Sequence, residues 1–225
     1  MQIDILTLFP EMFGGVFAHS ILRRAKERGL VSINLHNIRD FAVDKHKSVD
    51  DYAYGGGAGM VMMIEPISRC MEDLKLKTKY DEVIYMSPDG ELFTQKVANR
   101  LSTLNNIMIL CGHYKGIDER IREHLITLEI SVGNYVLSGG ELPAAVLSDA
   151  IVRIIPGAMN DETSALSDSF QDDLLSPPVY THPYDFNGWK VPDILLSGND
   201  KEIRKWRHDQ AMERTMQRRP GLLED

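Results

Sequence analysis

This chain of 225 residues predicts an α/β fold on a mainly parallel sheet, followed by a small helical unit. Three observations carry that expectation. Strand-like and helix-like segments alternate from residue 2 to residue 155, the pattern of parallel strands joined by crossover helices. Periodicity and composition both change after Pro156. Two apolar runs, Ile107–Cys111 and Leu128–Val132, break straight into glycine-bearing loops. Glycine at a strand exit lets the backbone turn tightly and lie close against a ligand.

Residues 2–8 alternate as a first strand and run into Phe9-Pro10-Glu11, where proline suits the first turn of a helix. Asp4 inside this apolar run, with no basic leader, makes the start read as a strand and not as a signal peptide. His19–Arg28 has helical spacing and stops at Gly29, and Val31–Ile38 alternates as a second strand. Arg39–Met60 reads as a long irregular loop ending in Tyr54-Gly55-Gly56-Gly57-Ala58-Gly59. Loops of that length in a compact domain are usually functional or disordered. Ile64–Lys75 is an amphipathic helix, and Glu82–Met86 a strand closed by the turn signal Ser87-Pro88-Asp89-Gly90. A helix over Thr94–Leu104, a strand over Ile107–Cys111, a helix over Ile117–Leu125 and a strand over Leu128–Val132 follow. Glu141–Ile155 is a helix stopped by Pro156-Gly157. Residues 1–157 therefore form the first domain, 158–173 a polar, acidic linker and 174–225 a second domain. Leu174–Ser197 is proline-rich and wraps; Asn199–Arg219 is a helix opened by the cap pair Asn199 and Glu202, with Ile203, Trp206, Met212 and Met216 as its apolar stripe.

The net charge of −8 argues against a protein that coats nucleic acid non-specifically. The charge is uneven, however. Lys201 to Arg219 holds seven Lys and Arg against three acids, a local +4 that leaves −12 elsewhere. A basic tail on an acidic body suits a localised polyanion contact. Cys70 and Cys111 both lie in apolar surroundings with no metal-ligand spacing, which points to a reducing, cytoplasmic setting. No apolar run is long enough to cross a bilayer, so no membrane partner is expected.

Three strand exits, 87–90, 112–116 and 133–140, carry glycine and would line one crevice of an open sheet. The patterns GxxxxGK[ST] and GxGxxG are both absent. Gly139-Gly140-Glu141 puts a carboxylate at a helix start, where a phosphate would otherwise bind. A phosphate-free adenosine ligand with a positive centre fits better, and S-adenosylmethionine has that character. One such loop alone reads as a tight turn; three in series, with Tyr114 and Tyr135 beside the glycines, balance that reading against a ligand cleft.

Eight blocks then become recognisable: LFPEMF (8–13), DKHKSVDDYAYGGGAGM (44–60), CGHYKGIDERI (111–121), SVGNYVLSGGELPA (131–144), DAIVRIIPG (149–157), DSFQDDLL (168–175), VPDILLSGN (191–199) and RKWR (204–207). Through them the chain resembles the bacterial tRNA (guanine-N1)-methyltransferases of the SPOUT class along essentially its whole length. The resemblance implies a SPOUT-type mainly parallel sheet with a deep trefoil knot toward its carboxyl-terminal end, which packing rules alone would reject. It implies a homodimer with active sites shared between subunits and S-adenosyl-L-methionine as methyl donor, and it suggests a dependence on Mg2+ that Lys115 speaks against. The reaction implied is methylation at N1 of the tRNA guanosine just 3′ of the anticodon.

By matching position, the resemblance places Tyr85, Ser87 and Pro88 by the donor, with Gly112, Tyr114 and Gly116 as a second wall. Val132, Gly133, Asn134, Tyr135, Val136 and Leu137 would hold the adenine, and Gly139, Gly140 and Pro143 would complete the pocket. Asp168 would act as general base and Arg153 would hold the charge developing on guanine O6. Asp50, Tyr54, Gly55, Gly59, Arg204, Arg207, His208, Arg214 and Arg218 are the expected RNA contacts. The chain departs from the family pattern at Lys115, where Glu is usual, and at Asn134, Ser167 and His182. Two alternatives stay open: methylation of another RNA position, such as a ribose 2′-hydroxyl, and RNA binding without catalysis.

Overall fold

The computed structural model describes residues 1–159 and 168–224. The chain divides into two units, 1–162 and 163–225, each described by itself.

In the first unit five parallel strands form one sheet. Numbered along the chain they are β1 (Gln2–Thr7), β2 (Ser32–Asn37), β5 (Glu82–Leu92), β6 (Asn106–Cys111) and β7 (Leu128–Ser131), in the order β2-β1-β6-β5-β7. β6 is central, and its residues from Ile107 to Cys111 are fully buried. It shows no polar alternation because helices cover both faces of the sheet. Ile107, Ile109 and Cys111 face a core closed by α1 (Ser20–Glu27), α3 (Gln95–Ser102) and α5 (Glu141–Val152). Met108 and Leu110 face a second core under α2 (Ile64–Lys75) and α4 (Glu119–His124).

Local chemistry sets the helix ends. Gly29, at φ 71°, closes α1: its N–H donates to Lys26 O and that of Leu30 to Ala25 O, which satisfies two orphan carbonyls. Thr94 caps α3 by accepting from Val97 N, and Asp118 caps α4 by accepting from Arg120 N.

Two expectations change. The Ser87–Gly90 turn does not end its strand: β5 resumes and runs to Leu92, so Ile130 faces both Met86 and Glu91. The turn chemistry is satisfied inside a bulge while the flanking residues keep their pairing with β7. Residues 39–60 are not irregular throughout. A short 3₁₀ turn covers Ile38–Phe41, and β3 (Asp50–Tyr52) pairs antiparallel with β4 (Met60–Met62). Strands of three residues are too short to show a period. Gly55, Gly56, Gly57 and Gly59 all take positive φ in the loop that joins them.

In the second unit, β8 (Asp185–Phe186) and β9 (Trp189–Lys190) form a hairpin around Asn187-Gly188, both at positive φ as a tight two-residue turn demands. The long helix α6 (Asp200–Arg218) begins where the Asn199 side chain accepts from Glu202 N. Its buried positions are Ala211 and Thr215, while Met216 of the expected stripe is exposed. Asp168–Ser176 packs on this helix: Leu175 N donates to Thr215 Oγ1 at 2.9 Å, and the Arg219 guanidinium sits 5.7 Å from the Phe170 ring centre. Part of the expected linker, with Ser167, lies outside the described residues.

Candidate functional site

The carboxyl ends of β5, β6 and β7 open into a cavity of about 510 Å³. Its walls are the bulge after Met86, the loop 112–117 and the loop 130–140. The loop after β7 starts at the edge of the sheet and reaches the exit of β6. There Gly140 N donates to Gly112 O at 2.8 Å and Gly139 bridges His113.

Glycine is required where these segments touch. A Cβ on Gly140 would lie 2.7 Å from Cys111 Cα, and one on Gly112 would lie 2.8 Å from the Tyr85 ring. Gly116 takes φ 128° and Tyr114 φ 59°, so the second wall is a sharp turn that leaves Tyr114 partly exposed at the rim. In the third wall Tyr135 N bonds Gly133 O, while the amides of Val136, Leu137 and Ser138 make no backbone hydrogen bond among the described residues. Tyr135, Val136 and Leu137 expose their apolar side chains there.

The electrostatics are uneven. Burial pushes the Tyr85 phenol up to about 12, so it stays neutral, and the Arg122 guanidinium lies 5.8 Å from its ring centre. Arg122 is bound by Glu129 at 2.8 Å, Asp89 at 2.9 Å and Glu119 at 3.4 Å, and its own pKa is raised, mainly by Glu129. The α5 amino terminus is already filled: Glu141 is buried there and accepts from Thr7 Oγ1 at 2.8 Å. Burial, and then the Glu141 charge, raise the Cys111 thiol well above its ordinary value, which leaves it inert.

The structure brings together all the residues expected around the donor except Asn134, which is exposed and does not line the cavity. The β3–β4 hairpin, with Asp50 at its start and Tyr54, Gly55 and Gly59 in its loop, is docked on the second wall. Lys115 N donates to Met60 O and Met62 N to Gly116 O.

In the second unit, Asp168 lines a concavity of about 1520 Å³ with Arg204, Arg207, His208, Arg214 and Arg218. The four arginines and His208 fall on one face of α6 at helical spacing. Arg153 is the carboxyl-terminal cap residue of α5 in the first unit, half-buried and outside the donor cavity, with Met159 Sδ 3.9 Å from its guanidinium.

His113, Lys115, Glu119, Arg122 and Asp89 also line the cavity, beyond the residues expected from the sequence. His113 and Lys115 could have been found, because they sit inside the glycine loop already singled out. Arg122 could not: Asp89, its partner at the rim, is 33 residues away.

Fold and cavities define the class: an α/β protein with a ligand pocket at its strand exits and a separate unit carrying a basic helix. Residues 1–225 match the family described as tRNA (Guanine-1)-methyltransferase TrmD. The chain is 60% identical to the tRNA (guanine-N(1)-)-methyltransferase of Flavobacterium johnsoniae, 62% to that of Bacteroides thetaiotaomicron and 61% to that of Porphyromonas gingivalis. Each comparison spans 225 residues and the full length of both chains. The chain belongs to this methyltransferase family.

Proposed function

We propose that this protein transfers the methyl group of S-adenosylmethionine to N1 of the tRNA guanosine just 3′ of the anticodon, acting as a cytoplasmic homodimer. The observation that carries the reading is the glycine-built cavity at the strand exits, with unused amides and exposed apolar side chains on its third wall. An adenine needs a flat apolar slot with a few backbone partners. A phosphate would need the α5 amino terminus, which Glu141 occupies.

When bound, the donor supplies an electrophilic methyl group. Guanine N1 carries a proton and is a poor nucleophile, so a base must take that proton as the methyl arrives. Asp168 takes it in this reading, and Arg153 holds the negative charge that develops on O6. The guanine has to leave its stack to reach the cleft. The basic face of α6 meets tRNA phosphates, and the β3–β4 loop touches the anticodon arm.

The knot of the SPOUT class is supported by the path of the loop after β7, which crosses from the sheet edge to the exit of β6 before entering α5. The dimer is supported by apolar side chains left exposed: Leu142 and Val146, one turn apart on α5, with Met12 in the 3₁₀ turn Pro10–Phe13 that α5 packs against. Magnesium finds no support. Among the described residues no group of three His, Cys, Asp or Glu side chains could hold a metal ion, and the second wall carries Lys115. Among them, too, no helix is long and apolar enough to cross a membrane.

The test is a methyl-transfer assay on unmodified tRNA carrying G at the target position, beside the same tRNA carrying A. Label should enter only the first and digest to 1-methylguanosine. A ribose-methylated product, or equal labelling of both, would overturn the proposal.

A further inference from the structure

We infer that Lys115 is the anchor for the carboxylate on the donor's amino-acid tail, an assignment that rests on the cavity being the S-adenosylmethionine site. The donor joins an adenosyl group to an α-amino acid, so its tail brings a carboxylate into a partly enclosed cavity. A carboxylate taken out of water needs a cation or several N–H donors at hydrogen-bond distance.

The cations and helix starts around the cavity can be taken in turn. Its charged lining residues are Asp89, Lys115, Glu119 and Arg122. Arg122 is already surrounded by three carboxylates, those of Asp89, Glu119 and Glu129. Neither helix that starts beside the cavity can help. The amino terminus of α5 holds the buried Glu141 carboxyl, and that of α4 is capped by the Asp118 side chain. Asp118 is in turn bound by Arg120, which lowers its pKa. The His113 ring is wedged between Phe9 and Tyr114, each 5.1 Å away between centroids. Lys115 is different: among the described residues its ammonium has no ion pair and no side-chain hydrogen bond.

The lysine is also held in place. Its N–H donates to Met60 O at 3.0 Å, which fixes the backbone against the β3–β4 hairpin. Its aliphatic stem lies along that hairpin's loop: a Cβ on Gly59 would sit 2.8 Å from Lys115 Cγ and 3.1 Å from Cε. Gly59, at φ 95°, leaves the space the stem fills. A side chain already laid against a wall loses less freedom when its tip binds.

The experiment is calorimetric titration of the full-length protein and of Lys115→Met with two ligands. S-adenosylhomocysteine keeps the carboxylate; 5′-methylthioadenosine lacks the whole amino-acid tail. Lys115→Met should weaken the first by about 10- to 100-fold, the usual range for a hydrogen bond to a charged group. It should leave the second within about twofold, which also shows that the pocket is intact. Lys115→Arg should recover most of the lost affinity. Equal weakening of both ligands overturns the assignment. So does unchanged S-adenosylhomocysteine binding with a raised KM for tRNA, which would give the lysine to the RNA. If the wild-type protein binds neither ligand, the donor reading itself fails, an outcome distinct from either of these.

Discussion

Gly140→Ala tests the donor cavity at its tightest point. The added methyl would lie 2.7 Å from Cys111 Cα, 2.9 Å from Gly112 N and 3.2 Å from Cys111 C, all backbone atoms of the facing loop. Ordinary contact begins at 3.4 Å, so the loops must part by about 0.7 Å. No side chain can rotate away to relieve this. Gly140 has φ −81°, so alanine strains nothing by its own backbone, and the whole effect comes from the close approach. Overpacking of this kind costs about 1–3 kcal/mol, and the Gly140–Gly112 hydrogen bond at 2.8 Å adds about 1 kcal/mol if it breaks. A total of about 2–4 kcal/mol should lower Tm by about 4–16 °C in a chain of this size. The third wall is displaced against the second by the same step, so affinity for S-adenosylhomocysteine should fall by about tenfold or more. Calorimetry reads both quantities. Gly15→Ala is the control, since nothing lies within 4 Å of a Cβ there and its φ is −69°. A Gly140→Ala protein with Tm and affinity indistinguishable from those of Gly15→Ala would refute the reasoning.

Three further outcomes are expected. Asp168→Asn should cut methyl transfer by about 10²–10⁴-fold at saturating tRNA while leaving S-adenosylhomocysteine binding unchanged; turnover near the wild-type rate removes Asp168 as the base. Asp4 gives a pH signature. Its burial would raise its pKa, but hydrogen bonds from His36, Tyr80, Gln2 and Asn34 outweigh that and bring it down to about 2. A folded pKa below the unfolded one means the contribution is complete above about pH 4 and lost as pH falls toward 2; the shift is worth about 2 kcal/mol. Urea titrations should show that loss in the wild type, and an equally steep slope in Asp4→Asn would contradict it. Arg207→Ala, on the basic face of α6, should weaken tRNA binding and reduce the slope of log K against log salt by about 1, leaving the donor affinity unchanged. An unaltered slope would take Arg207 out of the phosphate contact.

Much of this protein was legible in the chain because the relevant physics is local. The α/β alternation comes from apolar spacing within a few residues, and the stop at Gly29 and the start at Asn199 come from single cap residues. The glycine exits after β6 and β7 announced the cavity for the same reason: a backbone that must turn at once needs glycine whatever surrounds it. Asp168 is a different case. Nothing near it in the chain separates a base from an ordinary solvated carboxylate; only a motif match singled it out.

The tertiary structure decided whatever depends on segments meeting from far apart. That Ile130 faces both Met86 and Glu91 depends on how β5 and β7 align, and no local pattern encodes it. Gly140 must be glycine because Cys111 lies against it, and Glu141 can be buried because Thr7, 134 residues away in sequence, donates to it. Arg122 is held by carboxylates that the fold brings to it, which leaves Lys115, among the described residues, as the cavity's cation without an ion pair. Side-chain period and capping are properties of neighbours along the chain. Close approach, burial of charge and the absence of a partner are properties of the path the chain takes through space, and they exist only once that path is closed.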